Sequence, residues 1–331
     1  STLRMTITAC TSGYGCNSTY QNAEAFIDNS TVNSDIAIIQ LSEVIVINSK
    51  ISGALAIYQT SDVLIFGNTE ISGSLYVEST NATIWNSKIS QRLQADIVNL
   101  NIHDVEELGG ISNWDGDDVC EYTRIDNVTF TSNIAFDGGT SIDFTNSSVS
   151  SSLQIYHKFV NMTNIALVDD LNIGGGVPTS TYQVYLNNVT VSSGRLSGAV
   201  RDLLHLEDVH TTYGSATLRT GKLWMSNSTF VKSSSNTASY SIHVSSMSDY
   251  YNSSTEDIYI YNSTIRFNTS SNSNYAFIFD IFTTGDIRII DSEINATRYR
   301  TSTIELKGSE VLIQNSTIWS GAFSTAAGLP R

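Results

Sequence analysis

The chain has 331 residues, 32 acidic against 17 basic side chains for a net charge of −15, and 40% hydrophobic residues. Spread thinly and without a basic patch, that charge repels phosphate backbones and anionic lipid, which argues against nucleic acid and membrane surfaces as partners. No run approaches the roughly 20 apolar residues that a bilayer-crossing helix needs, so no membrane span is expected. Only Pro178 and Pro330 lack a backbone N–H, and no segment holds a 3.6-residue period, so strand ladders are favoured throughout.

In chain order, the first element is Thr2 to Ala9, which alternates like a strand and is expected either to cap its own first coil or to pair with a neighbouring molecule. Cys10 and Cys16 follow, six apart in a Gly-containing stretch, close enough to form a local disulfide in an oxidising compartment. Cys120 is then left over and is read as a small buried hydrophobe.

From about residue 21 the chain repeats. Fourteen Asn or Asp residues carry apolar neighbours at fixed offsets: Asn29, Asn48, Asn68, Asn86, Asp104, Asn127, Asn146, Asn164, Asn188, Asp208, Asn227, Asn262, Asp291 and Asn315, mostly 18 to 24 apart. Two before, four before and three after these anchors, 39 of 42 positions are apolar, against about 17 by chance. The exceptions are Thr123, Glu107 and Thr211. Periods of this size mark a solenoid.

Residues two and four before an anchor share one face of a strand and point inward. The anchor bends the chain, because Asn and Asp tolerate the left-handed conformation better than other side chains. A second strand follows seven and nine residues on, as at Leu55/Ile57, Leu93/Ala95 and Leu153/Ile155. Stacked at roughly 4.8 Å, such coils pair in parallel and close a continuous core. The anchors then lie above one another, each amide donating to the next carbonyl in an Asn ladder, while Asp104, Asp208 and Asp291 can only accept when ionised.

These residues resemble the right-handed parallel β-helix family, the pectin-lyase-like superfamily, in which an Asn ladder at one turn accompanies apolar stacks inside. The fold class expected is all-β, a single-stranded right-handed parallel β-helix of about 14 coils, spanning residues 21–320 between an N-terminal strand and disulfide segment (1–20) and a C-terminal tail (321–331). The resemblance implies polysaccharide lyases and hydrolases, but no Asn-Thr-Asp, His-Gly or Arg-Ile-Lys signature occurs. No catalytic residue is assigned.

The strongest carboxylate concentration is Asp115, Asp117, Asp118 and Glu121, in a Gly-rich turn with Arg124 nearby. It is read first as a solvated acidic turn and second as a calcium site with hard oxygen ligands; calcium is the one cofactor considered. Asp169 and Asp170 are read as a turn, and His103 and His205 as outward-facing strand residues.

Thirteen Asn-x-Ser/Thr sequons occur, seven of them at anchors (Asn29, Asn127, Asn146, Asn188, Asn227, Asn262 and Asn315). An amide held in a ladder cannot also carry a sugar, so the N-linked glycan candidates are Asn17, Asn81, Asn161, Asn252, Asn268 and Asn295. With charged residues at 15% and a Ser, Thr, Asn and Tyr-rich exterior, the chain reads as extracellular. The expected function is a glycosylated structural protein, a cell-surface filament or surface-layer subunit assembling with copies of itself head to tail. A polysaccharide-binding or polysaccharide-cleaving solenoid is the alternative, and a viral tail-spike-like adhesin the third option.

Overall fold

The computed structural model describes residues 2–4, 24–39, 41–113, 120–136, 138–174, 181–212, 216–232, 240–245, 257–267, 276–295, 301–319 and 322–327. The chain forms two compact units, Ser1–Ser150 and Ser151–Arg331. Among the described residues there is no helix: both units are parallel β-solenoid.

The first unit opens with β1 (Thr2–Arg4), β2 (Glu24–Asp28), β3 (Thr31–Val32), β4 (Ile36–Ile39) and β5 (Glu43–Ile47). Each of β2, β3 and β4 founds one face. β2 pairs in parallel with β5 over its whole length, β3 with Lys50–Ile51, and β4 with the start of Leu55–Phe66. Later strands extend the faces rung by rung, as Asn99–His103 does on residues 81–85. The second unit repeats the plan: Phe159–Leu167 is followed on its face by Gln183–Val191, Leu203–Thr211, Leu223–Ser226, Ile258–Tyr261, Ile287–Ile290 and Val311–Gln314.

All fourteen anchors have positive φ, between 45° and 63°. That is the left-handed region in which a side chain with its own short polar group is least penalised. The inward positions follow from these corners. Leu55, Ile57, Leu93, Ala95, Leu153 and Ile155 are all fully buried. In the first unit Phe130 and Phe144, both 0% exposed, meet edge to face at 5.7 Å between ring centres.

Four expectations need correction. The count of 14 coils becomes about 10 turns. At Asn68 the inward pair is Val63 and Ile65, 1% and 0% exposed, not Leu64 and Phe66. Gly67, itself at φ 71°, inserts before the corner and shifts the pleat by one residue. At Asp104 the polar Glu107 is not inward, because a bulge between Val105 and Leu108 hands that place to the buried Leu108. The expected tail from 321 contains a strand, Ala322–Ala327, in parallel register with Thr301–Gly308.

The strand expected near the N-terminus caps its own coil. β1 lies on β2 with Thr2 opposite Asp28 and Arg4 opposite Phe26. This pairing is antiparallel, unlike the parallel ladders of the coils. Cys10 and Cys16 lie outside the described residues.

Close rung spacing also fixes one glycine. A Cβ on Gly194 would sit 2.1 Å from the carbonyl carbon of Asp169, whereas one on Gly198 would meet nothing nearer than 3.6 Å. Gly194→Ala is therefore expected to lower stability by about 1–3 kcal/mol, an overpacking cost. Gly198→Ala should stay within about 0.5 kcal/mol. Urea unfolding midpoints of the two variants make the comparison.

Candidate functional site

The candidate site is the set of outward side chains that the parallel register lines up in columns. The corner column comes first. Asn127 Nδ2 donates to Asp104 Oδ1 at 2.7 Å, Asn188 Nδ2 to Asn164 Oδ1 at 2.8 Å and Asn262 Nδ2 to Asn227 Oδ1 at 2.8 Å. Asn146 departs from the pattern, its amide reaching Asp126 Oδ1 at 2.8 Å. In these corner-to-corner bonds the later corner donates to the earlier one, so an Asp can only begin a run. Histidines attend two of the three Asp corners: His103 Nδ1 lies 3.1 Å from Asp104 Oδ2, and His210 Nε2 lies 2.9 Å from Asp208 Oδ1. The Asn127 amide first, and His103 second, hold the Asp104 carboxyl below its ordinary value.

A second column, missed in the sequence, lies just inside the first. The residue after many corners is a buried Ser: Ser30, Ser49, Ser87, Ser147, Ser228, Ser263 and Ser292. Its hydroxyl donates to the carbonyl two residues back, as Ser263 Oγ does to Tyr261 O at 2.8 Å. It accepts the N–H of the preceding rung, as from Ser228 N at 3.2 Å and, for Ser292, from Ser263 N at 3.1 Å. Buried hydroxyls thus find partners in both directions. The Asn-Ser pairs at these corners are folding signals before they are sequons, and the recurrence of Ser after Asn was the available clue.

Rings form a third set of columns. In the first unit Phe66, Trp85 and His103 stack at 4.1 and 5.9 Å. In the second, Tyr185, His205, Trp224 and Tyr259 follow at 5.6, 5.8 and 4.8 Å, with the Arg288 guanidinium 5.6 Å from the Tyr259 ring. Trp224 is 40% exposed and its ring lies between those of His205 and Tyr259. Sugars stack on ring faces, so this row is a brace rather than a platform. Burial depresses the His205 imidazole below its ordinary value, Glu207 opposing only in part.

Ion pairs also run between rungs: Lys50 to Glu70 at 2.7 Å, Lys88 to Glu107 at 2.5 Å, and Arg266 forked onto Glu293. Arg266 holds the Glu293 carboxyl below its ordinary value.

Comparison with protein-family models, with characterised proteins and with solved structures returns no match. The arrangement of side chains therefore carries the reading alone.

Of the four acids in the candidate calcium site, Asp115, Asp117 and Asp118 lie outside the described residues. Glu121 accepts the Thr140 hydroxyl at 2.5 Å. Among the described residues no three His, Cys, Asp or Glu side chains gather as a metal site would require. Beside Glu121, Cys120 is 1% exposed, and burial pushes its thiol up to about 12, so it is inert at neutral pH. Asp170 Oδ1 accepts the Arg195 N–H at 2.6 Å, in keeping with a turn.

Of the glycan candidates, Asn17, Asn252 and Asn268 lie outside the described residues. Asn161 is exposed in Phe159–Leu167. Asn295 Nδ2 donates to Glu293 Oε1 at 3.2 Å. Asn81 belongs to a further amide column: its Nδ2 donates to Asp62 Oδ1 and its Oδ1 accepts from Asn99 Nδ2, both at 2.8 Å. The argument that protects the corner amides from sugar applies to Asn81 as well.

One concavity stands out in the first unit, a shallow groove of about 550 Å³ whose lining includes Asn99, Asn101, Tyr122, Arg124 and Asp143. Tyr122 is 51% exposed there.

The titrations have a sign. For Asp104 and Glu293 the folded pKa is depressed, so their contribution is present above the ordinary carboxylate range near 4 and is lost as pH falls through the lower folded value. For His205, also depressed, the unfolded chain binds the proton more readily, so stability falls as pH drops below about 6.5. Both act in one direction. His205→Phe, which keeps a ring in the stack, is expected to lessen the fall in melting temperature as pH drops below about 6.5 while leaving the acid transition near 4 in place; scanning calorimetry across pH checks this.

Proposed function

We propose that the chain is an extracellular structural β-solenoid, of the right-handed pectin-lyase-like kind, that associates with copies of itself as a filament or surface-layer component and carries N-linked glycans on sequons outside the amide columns. One observation carries the reading: outward side chains in both units are engaged along the stack. Amides bond amides, ring faces cover ring faces, and charges pair between neighbouring rungs. A face so engaged is built for rigidity rather than for converging polar groups on a small ligand. Light scattering and electron microscopy of purified protein provide the test. Ordered fibres or sheets are expected; a monomer at every concentration overturns the reading.

The groove beside Arg124 favours a second reading, polysaccharide binding without assigned chemistry. It calls for retention of a polysaccharide by the intact protein and loss of that retention in Arg124→Ala and Tyr122→Ala. A flat response across neutral and acidic glycans disposes of it.

A further inference from the structure

Four successive rungs of the first unit meet at the groove, and the parallel register sorts its outward side chains into two columns. Asn81, Asn99, Tyr122 and Ser141 make one. Thr83, Asn101, Arg124 and Asp143 make the other, two residues further along each strand and on the same face. Both columns line the concavity, with the buried Leu100 and Thr123 beneath them.

These columns depart from the rule that holds on the rest of the surface. Asn99 Nδ2 donates to Asn81 Oδ1 at 2.8 Å, but the side chains of Thr83, Asn101, Tyr122, Arg124 and Ser141 have no hydrogen bond, ring contact or ion pair among the described residues. Elsewhere, opposite charges on neighbouring rungs close into a bridge, as Lys50 and Glu70 do at 2.7 Å and Arg266 does in its fork onto Glu293. Arg124 and Asp143 face each other in register without one. Polar groups left open around a concavity, on a surface otherwise engaged with itself, are what a ligand site requires.

The same groups select the ligand. Arg124 only donates and an ionised Asp143 only accepts, so side by side they suit two neighbouring hydroxyls, each of which does both. The Thr83 and Ser141 hydroxyls and the Asn101 amide extend that mixed pattern. Tyr122, 51% exposed, adds an apolar ring face on which the C–H face of a sugar can lie. One positive and one negative side chain leave the groove without net charge, and an anionic ligand would meet both Asp143 and a chain of net charge −15. Asp143 is also the one acid among the lining residues, whereas glycosidic cleavage takes two carboxylates flanking the bond.

We propose that this groove binds an uncharged, hydroxyl-rich glycan without cleaving it, the sugar lying on Tyr122 while neighbouring hydroxyls bridge Arg124 and Asp143. This rests on the polysaccharide-binding reading and names the ligand class of its site.

Affinity electrophoresis of the intact protein, through gels holding neutral glucans, mannans and xylans or polygalacturonate, provides the test. Retention is expected in a neutral gel and not in the acidic one. Arg124→Ala and Tyr122→Ala should each weaken it about tenfold or more, with unchanged urea midpoints, while Tyr122→Phe should spare it. Asp143→Asn, which removes the negative member, should admit the acidic glycan. Retention by polygalacturonate alone, lost in Arg124→Ala, overturns the neutral class and leaves polysaccharide binding standing. No retention by any glycan, or retention that Arg124→Ala and Tyr122→Ala both keep, overturns the two together. Shortening of the bound glycan overturns binding without cleavage.

Discussion

Phe144→Ala is expected to lower the unfolding free energy of the first unit by about 3–5 kcal/mol, among the largest effects a single substitution should have here. The ring is 0% exposed and stands edge to face against Phe130, also 0% exposed, at 5.7 Å. Rung spacing is set by backbone hydrogen bonds on both neighbours, so the surroundings cannot collapse far into the space left behind. Phe159 supplies the control. It too lies on a strand, but at 44% exposure it has little burial to lose, and Phe159→Ala should cost under about 1 kcal/mol. Urea midpoints followed by far-ultraviolet circular dichroism measure both.

At a corner, the two roles of Asn separate by substitution. Asn188 has φ 52° and donates its amide to Asn164 Oδ1 at 2.8 Å. Asn188→Ala forfeits a hydrogen bond of about 0.5–1.5 kcal/mol and adds a left-handed strain of about 1 kcal/mol, for a loss near 2 kcal/mol. Asn188→Gly forfeits the bond but relieves the backbone, and should cost about half as much or less. Asn188→Asp keeps the tolerance for positive φ but sets a carboxylate against the Asn164 carbonyl oxygen, and should weaken the column more as pH rises above about 4. The order Gly, then Ala, in thermal midpoints distinguishes a corner governed by backbone and ladder from one governed by polarity alone.

The corners were legible because two constraints coincide on one residue: only a few side chains tolerate positive φ, and of those the Asn amide can both donate and accept along a stack. Fourteen such positions therefore stand out against apolar neighbours that burial makes uniform. The errors arose where backbone irregularity altered the count. Gly67 and the bulge before Leu108 each shift a pleat by one residue, and nothing in the apolar pattern distinguishes Leu64 and Phe66 from Val63 and Ile65. Gln59, at φ 54° within the irregular Ile57 to Thr60 stretch, gave no signal. Thr123 and Thr211 remain inward as polar exceptions, 4% and 1% exposed.

The outward columns were harder to read. Burial constrains inward positions to one chemical class, but outward positions admit any residue that satisfies its neighbours. Trp224 above His205, or Arg266 across from Glu293, becomes a pattern only once the register is known, because the interval from one corner to the next varies from 18 to 35 residues. The Ser column lay between these cases. It is inward and recurrent, yet at Val128, Val189 and Val209 the same inward place is apolar.

The proposition on which fold, surface and assembly all depend is that corner amides distant in sequence are stacked in register. A double-mutant cycle at Asn227 and Asn262, 35 residues apart in the chain and joined amide to carbonyl at 2.8 Å, tests it most directly. The stacked column predicts that Asn227→Ala and Asn262→Ala are non-additive, the second substitution costing about 0.5–1.5 kcal/mol less once the first is made. Additivity within about 0.3 kcal/mol would contradict the column.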